Sequence, residues 1–284
     1  MIVVTGATGN IGRHLVDQLL ARGARVRALT RSPERAGLPA AAETVRADFA
    51  AGEPLTSLFE GAEALYLNLS ATGPDNALQV IGAAAESGVR RIVMLSSAGV
   101  TDTAFDEENI LSRLHAGVER VIRETGLEWT FVRPGTFAAN TLLWAEAIRT
   151  TGVVRGPYAS AAMALVHEAD IAAVSAAALD DRVGEHKGAV YWLTGPESLT
   201  PVQQVAVIGQ ALGRELRYEE LPREAALEEM AGYGVPLPVA DAILHWQEKG
   251  GERATGVSPD VERVTGRPGR TFAEWVSGHL ADFR

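Results

Sequence analysis

The stretch Ile2-Val3-Val4-Thr5-Gly6-Ala7-Thr8-Gly9-Asn10-Ile11-Gly12 decides how the chain is read. A short apolar run that ends in glycine reads as a buried strand. Beyond it, Ile11, Leu15, Val16, Leu19 and Leu20 recur at helical spacing, and Gly23 closes the helix. The glycines at positions 6, 9 and 12 therefore lie between a strand and a helix. That placement suits a dinucleotide. The chain must turn sharply, bring backbone N–H groups close to a pyrophosphate, and start a helix whose positive end faces it. Gly12 is expected to allow close packing of helix on sheet.

Working outward, the same alternation continues. Strands are expected at Arg25–Thr30, Thr44–Ala47, Ala64–Leu69, Arg91–Ser96 and Trp129–Val132. Helices are expected at Ala77–Glu86 and Asn109–Glu124, with a helix-like segment through Leu58. Short connections between alternating strands and helices specify an α/β fold, a Rossmann doubly wound parallel sheet. After Pro134 the rhythm changes. Helices are expected at Asn140–Thr150, Asp170–Leu179 and Pro201–Leu212, one more strand at Ala189–Leu193, and extended chain at Leu216–Glu219. We divide the chain into a cofactor domain, residues 1–136 with about 165–195, and a smaller, mainly helical C-terminal substrate lobe, residues 137–164 and 196–284.

The second strand ends Leu29-Thr30-Arg31-Ser32. A site for NAD(H) usually places a carboxylate there, on the ribose 2′-hydroxyl. Here Arg31 takes the place, and a guanidinium can grip a 2′-phosphate with two hydrogen bonds. NADP(H) is the expected cofactor. Arg13 is a weaker candidate for phosphate. Asp48, after the third strand, either accepts from the adenine amine or caps a turn.

Composition narrows the partners. A formal charge of −10 argues against a protein that tracks nucleic-acid phosphates. The chain has no cysteine, which removes disulfides and thiolate metal sites. Its six histidines lack ligand spacing, so no metal is expected. Neither a signal-type start nor a membrane span is seen, and a cytoplasmic monomer or homodimer is the expectation. His167-Glu168 with Asp170 reads as a cap for the helix that follows rather than a ligand cluster. Trp144, Trp192, Trp246 and Trp275 read as core residues, though one or two, with Tyr158, would suit an aromatic substrate pocket.

Together these residues resemble the NmrA-like, or atypical, short-chain dehydrogenase/reductases, over nearly the whole chain. Besides the glycine loop, the marks are Ala28-Leu29-Thr30-Arg31, Arg46-Ala47-Asp48-Phe49, Val89-Arg90-Arg91-Ile92-Val93-Met94-Leu95-Ser96-Ser97, Gly126-Leu127-Glu128-Trp129-Thr130-Phe131-Val132-Arg133-Pro134-Gly135 and Val166-His167-Glu168-Ala169-Asp170-Ile171-Ala172. The resemblance implies a cofactor lying along Gly6–Ile11, past Thr8, Gly9 and Asn10. It puts Arg31 at the 2′-phosphate and Asp48 and Phe49 by the adenine. Asn68, Leu69 and Ser96 would approach the ribose and nicotinamide, with Pro134, Gly135 and Phe137 bordering the substrate.

The catalytic pattern departs from the family. Many relatives carry a Tyr-x-x-x-Lys pair, and none of the tyrosines here has a lysine four residues on. Counting back from the sixth strand, His115 stands where some relatives keep a lysine. It would hold the cofactor ribose, relay a proton, or simply pack. Ser97 would orient a carbonyl or cap backbone groups. The leading expectation is an NADPH-dependent oxidoreductase that reduces a small conjugated carbonyl or quinone. The alternatives are a non-catalytic redox sensor acting through a protein partner and a non-redox enzyme on the same fold.

Overall fold

The computed structural model describes residues 1–249 and 255–284. The apolar runs become parallel strands because a helical or irregular crossover follows each one. These strands are β1 (Ile2–Val4), β2 (Val26–Thr30), β3 (Glu43–Arg46), β4 (Ala64–Asn68), β5 (Arg91–Leu95) and β6 (Glu128–Pro134). After β7 (Val153–Gly156), which lies elsewhere, β8 (Ala189–Leu193) completes a seven-stranded sheet ordered β3-β2-β1-β4-β5-β6-β8. All its pairs are parallel. The order reverses between β1 and β4, where a doubly wound sheet opens its crevice.

Helices cover both faces. On one, α1 (Asn10–Ala21) contributes Ile11, Leu15, Val16 and Leu19 to the core. On the other, after the short α2 (Leu69–Thr72), α3 (Pro74–Glu86) contributes Val80 and Ile81. The short α4 (Phe105–Glu108) leads into α5 (Ile110–Glu124), which adds Val118 and Ile122 to that second core. Past the small α6 (Ala145–Thr150), α7 (Glu168–Leu179) returns to the first face beside α1. It is alanine-rich because it is buried on nearly every side, and small side chains let its neighbours approach.

The C-terminal lobe has its own core of Ile148, Val154, Ile208, Phe272, Trp275 and Phe283. It holds α8 (Pro201–Leu212), β9 (Arg217–Glu220), α9 (Arg223–Gly232), α10 (Leu237–Lys249) and, after α11 (Asp260–Thr265), α12 (Phe272–Gly278); α11 itself packs on the Rossmann core beside α7 and β8, with Val261 in the first core, although its residues fall in the stretch 196–284 expected for the lobe. Its β7 pairs in parallel with β9, Val153 opposite Arg217.

Three elements differ from the sequence reading. The segment 49–58 is irregular with one 3₁₀ turn at Thr56–Phe59, because Gly52 takes φ +69° and Pro54 follows. The helix expected at Asn140–Thr150 is a 3₁₀ stretch, Ala138–Trp144, before α6. The strand β7 carried no periodic signal, since a four-residue strand gains stability only from a partner about 60 residues away.

His167 caps α7 by accepting the Ala169 N–H at Nδ1, 3.0 Å. Glu168 and Asp170 tie the two lobes together. Glu168, 3% exposed, accepts from the Ala139 N–H at 2.8 Å and from the Trp275 indole N–H at 3.0 Å. Asp170 accepts from the Arg270 backbone at 2.7 Å and pairs with its guanidinium.

Candidate active and cofactor site

Every strand of the main sheet runs the same way, so the expected site residues collect at one edge. Gly6–Gly12 follow β1, Arg31 follows β2, Asp48 and Phe49 follow β3, and Asn68 and Leu69 end β4. Ser96 and Ser97 follow β5, and Pro134 and Gly135 end β6.

The glycine loop is tightly built. An added Cβ on Gly12 would lie 2.1 Å from the Gly6 carbonyl oxygen and 2.8 Å from Ala7, so no side chain fits. Gly6 takes φ +66°, and its Cβ position lies 3.0 Å from Asn68 Nδ2, which brings the end of β4 against the loop. Thr5 Oγ1 accepts the Asn68 N–H at 2.9 Å and donates to the Tyr66 carbonyl, clamping the two strand ends. Gly9 is the N-cap of α1, and no side chain caps the helix or places an acid in its first turn. The N-terminal N–H groups of α1 are thus left for an anion.

Arg31 is exposed and bonds no described residue, as a side chain kept for a ligand would be. Arg13 instead donates to the Thr8 and Gly37 carbonyls and braces the loop. Asp48 Oδ1 accepts the Ala50 N–H at 3.2 Å, a turn cap, and Phe49 packs on the second core. Asn68 Oδ1 caps α2 through the Ser70 N–H. The residues fit a dinucleotide: a glycine loop packed so closely on α1 that position 12 admits no side chain, an uncapped helix end, and a guanidinium with no partner among the described residues.

Ser96 has another role. Its hydroxyl donates to Glu119 Oε1 at 2.6 Å. Glu119 is wholly buried and takes two hydrogen bonds from Arg133, at 2.9 and 2.6 Å. Arg133, 1% exposed, also grips Asp102, which sits in the left-handed region at φ +59°. This chain of charges binds the loop after β5 to α5 and β6. Burial works against the charge of Arg133, and its carboxylate partners more than restore it, so its pKa rises.

His115 is half-buried on α5. Its Nδ1–H donates to the Leu111 carbonyl at 2.8 Å, which leaves Nε2 as the acceptor of a neutral ring. Burial pushes its pKa below the usual imidazole range, against smaller opposing effects of Leu111 and Glu119.

Beyond the ends of β5 and β6 lies a cavity of 470 Å³. The Rossmann side supplies Ser97, Gly99, Ser112, Pro134, Gly135 and Phe137, and the C-terminal lobe supplies Trp144, Tyr158, Tyr218, Met230, Tyr233 and Trp246. His115 and Ser96 do not line it. Of the four tryptophans weighed from sequence, Trp144 and Trp246 reach the cavity with Tyr158, whereas Trp275 is a fully buried core residue. Leu111, whose carbonyl holds the His115 ring, lines the cavity. Ser112, Tyr218 and Met230 were not legible in sequence, because no local pattern marks a residue that meets its partners across the fold. Among the described residues no His, Asp and Glu group can hold a metal, and no helix is long and apolar enough to cross a membrane.

A doubly wound sheet with this loop and a cavity at its carboxyl edge defines a nicotinamide-dinucleotide-binding protein. A model of the NAD(P)H-binding family matches residues 6–182, and the chain belongs to that family. It is 41% identical over 288 residues to the (4-alkanoyl-5-oxo-2,5-dihydrofuran-3-yl)methyl phosphate reductase of Streptomyces griseus, covering 100% of this chain and 99% of that one. It is 32% identical over 289 residues to the NAD(P)H azoreductase of Xenophilus azovorans, again covering 100% and 99%. The NADPH complex of the Escherichia coli quinone oxidoreductase QOR2 aligns with a TM-score of 0.83 at 27% identity, covering 99% of this chain and 100% of that one. The resemblance to atypical short-chain dehydrogenase/reductases thus holds for the fold. The chain is an NAD(P)H-dependent oxidoreductase of a small molecule.

Proposed function

We propose that the chain reduces a planar, conjugated carbonyl compound with NADPH. The observation that carries this is the cavity: aromatic and apolar walls, opening past the ends of β5 and β6 beside Pro134 and Gly135. Its two charged lining residues are already engaged, Arg155 with Glu219 at 3.1 Å and Glu229 with the Tyr233 hydroxyl at 3.3 Å, and the aromatic walls favour a flat, conjugated molecule. The name of the Streptomyces relative describes the methyl phosphate ester of a 5-oxo-2,5-dihydrofuran, in which a ring double bond is conjugated with a carbonyl. A quinone has the same C=C–C=O unit. Both accept hydride and gather charge on oxygen, the lactone taking it at the carbon β to its carbonyl and the quinone at an oxygen, which leaves an aromatic phenolate.

Bound along the glycine loop, the reduced nicotinamide supplies the hydride. The residues of this chain do the rest. Gly6, Gly9 and Gly12 admit the pyrophosphate to the end of α1, with Thr8, Asn10 and Ile11 along the same edge. Arg31 holds the 2′-phosphate, Asp48 and Phe49 flank the adenine, and Asn68, Leu69 and the backbone at Ser96 border the ribose. The Nε2 lone pair of His115 accepts from a ribose hydroxyl; a neutral ring whose Nδ1–H is already spent is a poor proton donor. Pro134, Gly135 and Phe137 wall the reaction from water, and Ser97 faces the substrate carbonyl.

Steady-state oxidation of NADPH and NADH with a naphthoquinone and an unsaturated γ-lactone tests this. Turnover with both acceptors and higher kcat/KM for NADPH are expected. If neither acceptor drives oxidation of either cofactor above the blank, the reading is wrong.

A further inference from the structure

We propose that Ser112, together with Ser97, holds the carbonyl oxygen of the substrate and stabilises the negative charge that hydride addition places there. The inference rests on the reading above that the substrate is a conjugated carbonyl.

Ser112 sits in the first turn of α5. Its position is fixed, because its N–H donates to Asn109 Oδ1 at 3.2 Å and Asn109 is held in turn by the Ala242 carbonyl at 2.8 Å. Only 2% of the residue is exposed, and it lines the cavity. Yet its hydroxyl bonds no described residue. Ser97 lies across from it. Its Oγ accepts the Gly99 N–H at 3.1 Å, and its own hydrogen is uncommitted. The space between the two is set by Gly99: a Cβ there would fall 2.7 Å from Ser112 Oγ and 3.2 Å from Ser97 Oγ. Glycine leaves a notch flanked by two hydroxyl donors.

Three neighbouring polar side chains are already spent. Asn109 uses its amide on Ala242, Leu111 and Ser112; Thr141 donates to Ala138; Tyr218 donates to Pro157. The Ser112 hydroxyl instead opens on the cavity, where a ligand oxygen can take the place of water as its acceptor.

The chemistry balances without a side-chain acid. Hydride adds to the carbon β to the carbonyl, the C=C electron pair moves toward oxygen, and the substrate becomes an enolate as the nicotinamide is oxidised. Water then protonates the α-carbon. Ser112 and Ser97 keep their protons and donate hydrogen bonds to the enolate oxygen, which accepts more strongly as its charge grows. A quinone needs this help less, since its reduced form is an aromatic phenolate that spreads the charge over the ring.

The test compares wild type with Ser112→Ala, Ser112→Thr and Gly99→Ala. Turnover is measured on an unsaturated γ-lactone and on a naphthoquinone. Binding of 4-nitrophenolate, an enolate mimic, is titrated in the presence of NADP⁺. Ser112→Ala is expected to lower kcat/KM for the lactone by roughly tenfold to a hundredfold and to weaken nitrophenolate about tenfold. The quinone rate and NADPH affinity should change by less than about threefold, and Ser112→Thr should restore most of the lactone rate. Gly99→Ala fills the notch without removing either hydroxyl and should reproduce the selective loss. Two results overturn the proposal: lactone rate and nitrophenolate affinity both within about twofold of wild type in Ser112→Ala, or equal losses on lactone and quinone in both Ser112→Ala and Gly99→Ala. If wild type reduces neither acceptor, the functional reading fails instead, and nitrophenolate binding still decides whether the two hydroxyls hold an oxyanion.

Discussion

A methyl group at position 12 would sit 2.1 Å from the Gly6 carbonyl oxygen, which is why the spacing of three glycines was so informative in sequence. At Arg31 the usual acid is missing where β2 ends, and the side chain is exposed with no partner among the described residues. Arg31→Ala should weaken NADPH by roughly tenfold to a hundredfold, the scale of charge-assisted hydrogen bonds, and leave NADH within about twofold. Calorimetric titration of both cofactors checks this, and equal losses would remove Arg31 from the 2′-phosphate. His115 was legible as a position but not as a state. Its tautomer depends on the Leu111 carbonyl and its pKa on burial, and neither is written locally. His115→Ala should weaken NADPH about fivefold, as loss of one hydrogen bond does, with kcat at saturating NADPH nearly unchanged. A pH–rate profile that loses its limb near neutrality, with a kcat drop of roughly 10²-fold, would instead make His115 a proton donor.

Helix ends are set by local chemistry. Asn109 accepts from Leu111 and Ser112, and Thr200 and Thr271 form reciprocal capping boxes with Gln203 and Glu274. His167 is an unusual cap, and it makes α7 sensitive to pH. Burial, then the charges of Arg270 and His14, push its pKa from the ordinary 6.5 to about 4. Between those values the unfolded chain binds a proton that the folded chain does not, so this contribution to stability is present above pH 6.5 and lost as pH falls through about 4. Asparagine caps helices without titrating. His167→Asn should therefore flatten the fall of the urea midpoint over that acid range while keeping stability near neutrality. An unchanged slope would show that other groups set the acid limb. The pairing of β7 with β9 was missed, because two short strands far apart in sequence carry no periodicity of their own.

At the scale of the whole molecule, the cavity exists only because the C-terminal lobe is held over the carboxyl edge of the sheet. Glu168 is one clasp between them, and the sequence suggested nothing beyond a helix start. Glu168→Ala would leave the Ala139 N–H and the Trp275 indole without acceptors in a buried place, costing about 2–5 kcal/mol. Chemical denaturation followed by tryptophan fluorescence measures this, and a loss below about 1 kcal/mol would show that water replaces the carboxylate without strain. The sequence by itself determined the sheet, the nucleotide loop and the missing acid after β2. Those features are set by contacts within one strand–turn–helix unit, where residue spacing fixes geometry. Only the tertiary structure decided what lines the cavity. Ser112, Tyr218 and Met230 come from separate elements whose side chains meet in space, and the donors left free there depend on which hydrogen bonds every neighbour has already made.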